Sequence, residues 1–318
     1  MAEPAALTQF AKVQHRIVDK QSEGQRLDNF LLRELKGIPK TRLYRAMRKG
    51  EIRVNKGRVK ADYRLALGDS VRIPPLHFPK RNEPAILPRY WAKELARRVI
   101  YEDANVIAID KPAGLAVHGG SGLSFGLIEG LRQLRPADRT LELVHRLDRD
   151  TSGVLLISRR RSVLRELHRQ LRENVVDKRY LALVAGRWPD NLTRVDAPLV
   201  KNVLQSGERM VRVAKEGKRS STEFSVLRRF DGATLIEAKP ITGRTHQIRV
   251  HTRQSGYPIL GDDKYGNDRA QELCARLELR RLFLHAQCLR LSLPDLGAIE
   301  LKADLGDELE NTLKKLSQ

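Results

Sequence analysis

The ten residues from Val144 to Gly153 read Val-His-Arg-Leu-Asp-Arg-Asp-Thr-Ser-Gly and stand directly before an apolar run, Gly153 to Ser158. A polar loop carried on a rigid strand can present a catalytic group. Here it offers carboxylates beside Arg146 and Arg149, which in a partly dry pocket would keep a carboxylate ionised and attract a phosphate backbone. On chemistry alone Asp148 and Asp150 are equal candidates for a base or nucleophile, and turn-forming ion pairs would produce the same letters.

Other chemistries are poorly served. His246 and His251 lie five positions apart, which on a helix places them about 140° from each other, so no shared metal is expected. Cys274 and Cys288 are the only cysteines. They form no Cys-x-x-Cys zinc pair, are too few for a disulfide framework, and sit in no Gly- or Pro-rich reactive loop, so both are expected to be reduced and structural. The string from Gly122 to Gly126 spells Gly-x-Ser-x-Gly but follows a glycine-rich loop, whereas a nucleophile elbow needs a strand immediately before its serine, here Ser124. Neither Gly-x-x-x-x-Gly-Lys nor Gly-x-Gly-x-x-Gly occurs. No cofactor and no metal are expected.

The elements that must carry these residues can be read from periodicity. Leu27, Phe30, Leu31 and Leu35 recur at helical spacing; Gly37 and Pro39 punctuate before a second, strongly basic helix with Leu43, Ala46 and Met47. Ile52 and Val54 precede an Asn55-Lys56-Gly57 turn, and the Gly68-Asp69 turn leads into Val71 and Ile73. Residues 20–78 are therefore a small α+β module. Residues 79–97, rich in Pro and charge and without sustained periodicity, are expected to be a linker. From 98 to 318 apolar runs such as Val106 to Asp110, Gly153 to Ser158 and Tyr180 to Gly186 read as buried strands. Val163, Leu164, Leu167 and Leu171 mark one face of a helix from Arg160 to Arg172. Residues 243–251 open a helix capped near Thr242 or Thr245 and ending at Gly256, and residues 308–316 form a terminal helix. Strands and helices mix without a regular βαβ repeat, so the fold class is α+β, with a mixed, largely antiparallel sheet.

Sixty Lys and Arg against 39 Asp and Glu give a formal net charge of +21. That exceeds what solubility requires and implies a polyanionic partner. The basic residues are spread along the chain rather than gathered on one amphipathic helix, which favours nucleic acid over a membrane surface. No stretch approaches the ~18 apolar residues of a membrane helix, and the N-terminal residues lack a signal-peptide pattern, so a cytoplasmic setting is expected. A monomer is the default expectation, with no sequence signal behind it.

Residues 20–78 resemble the S-four-type RNA-binding domain through RLDNFL, PKTRLYRAMRKGEIRVNKGRV and LGDSVRIP. The resemblance implies that Lys40, Arg42, Arg45, Arg48, Lys49 and Arg53 grip RNA. The run HRLDRDTSG is similar to the signature of the RluA family of RNA pseudouridine synthases, and the likeness extends from about residue 20 to about 312. It implies that Asp148 is the essential carboxylate, while Asp150 falls outside the fixed letters and is left as a loop-stabilising residue. In KRYLA, Tyr180 would lie against the target base, where a flat ring suits an extruded uracil. In GRTHQIRVH, Arg249 would pair with the catalytic Asp, orient it and lower its pKa. In RLFLHA, Leu284 would touch the base, and Arg146 of the signature would bind substrate. HGGSGLSFGLIEGLR and LVKNVLQSGERMVRV are similar to a branch that modifies several uridines, which implies 23S ribosomal RNA as the partner. The competing expectations are an RNA-binding ribosome assembly factor with an idle catalytic loop and a cysteine-dependent uridine methyltransferase.

Overall fold

The computed structural model describes residues 12–318 apart from 21, 36–37, 77–86, 120–124, 139, 204–208 and 294–295. Gly37 and Ser124 lie outside the described residues. The chain divides into two units, residues 1–83 and residues 84–318.

In the first unit, strand β1 (Gln14–Ile17) is followed by helices α1 (Leu27–Glu34) and α2 (Lys40–Lys49) and strands β2 (Arg53–Val54) and β3 (Ser70–Ile73). The three strands form an antiparallel sheet in the order β1-β3-β2. Leu27, Phe30 and Leu31 of α1 bury against Leu43, Ala46 and Met47 of α2 and against Val54, Val71 and Ile73. This apolar face leaves the opposite face of α2 to its basic residues. The helix ends at Gly50, whose φ of 68° lets its N–H bond back to Ala46 and Met47.

The second unit opens with helix α3 (Arg89–Arg97) and continues through β4 (Val99–Glu102), β5 (Val106–Lys111), α4 (Leu127–Leu134), β6 (Glu142–Leu143), β7 (Ser152–Ser158), α5 (Arg161–Arg172) and β8 (Asp177–Ala185). Then come β9 (Arg194–Asp196), β10 (Leu199–Val203), β11 (Arg209–Val213), β12 (Ser221–Phe230), β13 (Ala233–Pro240) and α6 (Gln247–Gln254). The unit ends with α7 (Asp268–Leu277), β14 (Leu284–Leu293), β15 (Gly297–Lys302) and α8 (Asp307–Lys315). Ten strands make one sheet in the order β4-β5-β7-β14-β8-β13-β12-β9, with β15 on β14 and β6 on β7, and β10 and β11 form a separate hairpin. Among the described strand pairs only β7 with β14 is parallel. The fold class is α+β, with the mixed, mostly antiparallel sheet that the strand pattern predicts.

Strand alternation sets which helix covers which side. Ile107, Ile109, Leu155 and Ile157 pack with Leu95 of α3 and Leu127 and Leu131 of α4. Val106, Ala108, Val154 and Leu156 pack with Val163 and Leu167 of α5. Both faces of the strands are buried, so their sequences read as apolar runs rather than alternating ones. Residues 89–97 differ from expectation. The stretch read as linker contains α3, whose Leu95 is fully buried; a single short amphipathic helix after a Pro-rich stretch gives little periodicity, and tertiary packing decides it.

Candidate active site

The loop between β6 and β7 carries Asp148 at one wall of a cleft of about 650 Å³, whose lining includes Arg146, Asp148, Tyr180, His246, Arg249 and Leu284. Four separate segments supply these residues. Asp148 and Arg146 come from the polar loop, Tyr180 from β8, His246 and Arg249 from the start of α6, and Leu284 from the first position of β14. The five residues given catalytic or substrate-binding roles on sequence grounds thus lie around one space.

The loop is fixed from beneath. Lys111, at the end of β5, is fully buried, and its Nζ donates to the carbonyls of Pro112, Leu115 and Arg149 at 2.7, 2.9 and 2.9 Å. Three acceptors match the three N–H of an ammonium, although burial pushes the group down to about 7. Gly114 N–H also donates to the Arg149 carbonyl, at 2.9 Å. Arg149 turns outward to Asp150, Nε to Oδ1 at 3.1 Å, so Asp150 serves the loop's surface while Asp148 faces the cleft. Immediately after the loop, Gly153 adopts a φ of 108° and lies so close to the backbone of Ala286 in β14 that a side chain would overlap the carbonyl. Ser152 Oγ accepts from Arg281 Nη2 at 2.6 Å and donates to His285 Nδ1 at 2.8 Å. His285 Nε2 completes the chain by donating to the Ala303 carbonyl at 2.9 Å.

On the facing wall, Gln247 organises the start of α6. Its Oε1 accepts from Thr242 Oγ1 and from Arg244 N–H at 2.7 and 3.0 Å, and its Nε2 donates to the Ser221 carbonyl and Thr222 Oγ1 at 2.8 and 2.9 Å. The residue preceding the helix is His246 in the left-handed region, without a side-chain cap; neither Thr242 nor Thr245 takes that place. His251 faces away from His246 and is held in the core by Thr222, Ser220 and the Ala197 carbonyl.

Arg249 reaches Asp148 with Nη1 to Oδ2 at 3.9 Å, an ion-pair distance rather than a hydrogen bond. Its principal partner is Asp262, which the sequence reading did not single out: Nε and Nη2 form a bidentate pair with the two carboxylate oxygens at 2.8 and 2.7 Å. The Asp262 side chain is entirely buried, and its Oδ1 also accepts from the backbone N–H of Lys264 and Tyr265. The guanidinium further lies over the Tyr265 ring, 5.1 Å from its centroid. Burial alone would lower the Arg249 pKa, but Asp262 and Asp148 hold it above its ordinary value, leaving a fixed positive charge beside Asp148. Burial, with the Asp148 charge nearby, pushes the Tyr180 phenol well up, so Tyr180 is a neutral aromatic wall. Leu284, from the neighbouring strand, also lines the cleft and is buried. Arg146 is exposed at the rim, joined by Arg172 and Arg244.

In the first unit Lys40, Arg45, Arg48, Lys49 and Arg53 are exposed. Arg42 is half-buried and spends part of its charge on Glu51 at 3.2 Å, and Arg53 braces the Gly50 carbonyl at 3.2 Å.

Asp262, Tyr265 and Lys111 had weak sequence signals. Gly261-Asp262-Asp263-Lys264-Tyr265-Gly266 is a polar, glycine-bounded cluster after an apolar run, the same type of pattern that drew attention to Asp148. Lys111 was visible only as the start of a loop.

A charged carboxylate, a buried guanidinium, a neutral aromatic ring and an apolar side chain around one basic-rimmed cleft can receive a planar base and act on the sugar or ring beside it. Known proteins share this layout's sequence. The family model described as RNA pseudouridylate synthase matches residues 105–254, and that of the S4 domain matches residues 25–71. The chain is 55% identical over 298 residues to the ribosomal large subunit pseudouridine synthase C of Escherichia coli (strain K12), covering 92% of this chain and 93% of that protein. It is 53% identical over 308 residues to the protein of the same name from Haemophilus ducreyi, covering 96% of each. Among solved structures, human RNA pseudouridylate synthase domain containing 4 superposes with a TM-score of 0.59 at 28% identity, over 72% of this chain and 96% of that one. With more than half its residues shared along nearly the whole length, this chain belongs to the RNA pseudouridylate synthase family.

Proposed function

We propose that this protein isomerises specific uridines of 23S ribosomal RNA to pseudouridine, with Asp148 as the catalytic carboxylate. The observation that supports it most directly is the meeting of Asp148, Arg249, Tyr180 and Leu284 in one cleft, in a chain whose curated relatives are named for the large ribosomal subunit. In the reaction the bond from C1′ to N1 breaks, the uracil turns, and C5 joins C1′; C5 gives up its proton and N1 gains one. Atoms and electrons balance within the nucleotide, so no cofactor is consumed. An ionised Asp148 acts as nucleophile or base on the nucleotide, and Arg249, itself anchored by Asp262, orients it. Tyr180 and Leu284 receive the extruded base, whose removal from its stack costs a few kcal/mol. Arg146 and the basic face of α2, with Lys40, Arg45, Arg48 and Lys49, offset that cost through phosphate contacts, with Arg42 and Arg53 contributing less because protein groups already engage them. A ribosomal substrate goes with a cytoplasmic setting; among the described residues no helix is long and apolar enough to cross a membrane.

The test is Asp148→Asn, which keeps the shape and removes the charge. Pseudouridine formation on protein-free 23S rRNA should disappear while RNA affinity survives; turnover near the parent level would sink the assignment. No turnover by the parent protein on that RNA would instead favour the idle assembly factor.

A further inference from the structure

His246 precedes α6 with φ 52° and ψ 20°, a left-handed conformation that costs a non-glycine residue about 1 kcal/mol or more and persists where the surroundings enforce it. The conformation places the imidazole between two partners. Nδ1 lies 2.7 Å from Tyr265 Oη, and Nε2 lies 3.9 Å from Asp148 Oδ2 on the cleft side. Tyr265 is itself fixed: it is 7% exposed, its ring lies under Arg249, and its Oη accepts from Val211 N–H at 3.0 Å. With Val211 N–H already directed at the phenol oxygen, the arrangement that gives each group one role has the phenolic hydrogen pointing at Nδ1. An imidazole that accepts at Nδ1 carries its own hydrogen on Nε2. The N–H therefore points into the space beside Asp148, too far from the carboxylate to be spent on it.

The charges around the ring agree with a neutral imidazole. Burial favours the uncharged form, Arg249 and Lys264 add to this, and Asp148 and Asp262 oppose it. A cationic ring would pair with Asp148 and compete for the negative charge the reaction uses. A neutral donor does not. When the bond to N1 breaks, negative charge spreads over the uracil ring onto O2 and O4, and a fixed donor there is worth more as that charge develops.

We propose that His246 contacts the substrate: Tyr265 holds it as the Nε2–H tautomer, and it donates a hydrogen bond to a carbonyl oxygen of the extruded uracil beside Asp148. This rests on the cleft being the isomerisation site. The residue would then do its work in the reacting complex, through one proton whose position Tyr265 and Val211 determine.

The test uses the full chain and a 23S rRNA fragment with one modified uridine. His246→Ala should slow single-turnover isomerisation by about 100-fold, the scale of losing one fixed donor to a developing anion, with RNA affinity changed by less than about threefold. His246→Gln, which restores an N–H at a similar reach, should recover most of the rate. In a long-range 1H–15N spectrum of the parent protein, the His246 ring should show a bare Nδ1 and a protonated Nε2, and Tyr265→Phe should remove that preference. Parent-like turnover by His246→Ala, a His246→Gln as slow as His246→Ala, or the opposite tautomer in the parent would each overturn the proposal. An inactive Asp148→Asn beside a fully active His246→Ala would reject the histidine's role alone, whereas full activity in both would reject the cleft itself.

Discussion

Arg249 is shared between two carboxylates of unequal claim, and the sharing decides what each mutation does. Asp262 holds the guanidinium by two hydrogen bonds in the core, whereas Asp148 meets it only at 3.9 Å. Removing Asp262 strands a buried cation, which typically costs about 3–5 kcal/mol. Asp262→Ala should therefore lower the urea midpoint sharply and slow turnover per folded molecule, while Asp148→Asn should leave the unfolding free energy within about 1 kcal/mol of the parent. Equal midpoints for the two variants would refute this division. Lys111 gives a pH signature. Its folded-state pKa is pushed by burial to about 7 from an ordinary 10.5, so the unfolded chain binds more protons between those values and stability rises with pH across that window. Between pH 7 and 9 the gain is about 2 kcal/mol from this group, and Lys111→Met should remove that increment from urea titrations at the two pH values. The residue types alone left Asp148 and Asp150 equal, and it was the likeness of HRLDRDTSG, KRYLA and GRTHQIRVH to a family signature that pointed to Asp148, Tyr180 and Arg249. Asp262 and Tyr265 act by touching Arg249, and Lys111 by holding the backbone of the Asp148 loop, and single-sequence patterns do not encode such tertiary contacts.

At the level of elements, β14 is the piece on which both walls of the cleft are set. Its backbone touches Gly153 behind the Asp148 loop, and Arg281 just before it touches Gly261 beside Asp262. Both glycines have positive φ, 108° and 72°. Gly153→Ala combines a disfavoured conformation with overlap on the Ala286 carbonyl, and should destabilise by about 3 kcal/mol and cut activity per folded molecule, because the parallel seam must open. Chevron or urea measurements with matched turnover assays would check it; a parent-like variant would show that the seam can yield. The cores of β5, β7 and β8 and the helix from Arg161 were readable as apolar runs and a helical stripe, since burial on both faces or on one leaves a direct mark in the sequence. Strand order was not, because pairing β7 with β14 joins residues 133 positions apart, as Ser152 and His285 show. Helix α3 was missed for the opposite reason: nine residues following a Pro-rich stretch carry too little pattern, and packing against α4 supplies what propensity does not.

Over the whole molecule, a formal charge of +21 is carried by two units with different work. The exposed basic face of α2 suits phosphate contacts made without regard to base identity. Replacing Lys40, Arg45, Arg48 and Lys49 together by Gln should reduce the slope of log affinity against log salt by about 3, with the single-turnover rate at saturating RNA unchanged. An unaltered slope would mean that this face does not grip RNA. The division into a small basic module and a larger α+β body could be read from turn residues and charge, while the cleft's depth could not, since it depends on how distant strands meet. That meeting also bears on the protein's own synthesis. Because β14 is inserted between β7 and β8 at the middle of the sheet, a ribosome that has released only the first 280 residues has made a sheet with its central member missing. Such a nascent chain holds every residue of the Asp148 loop and of α6 but lacks the strand that joins their supports, so enzymatic competence arrives abruptly once β14 has emerged, and chains truncated before that strand should aggregate rather than work weakly.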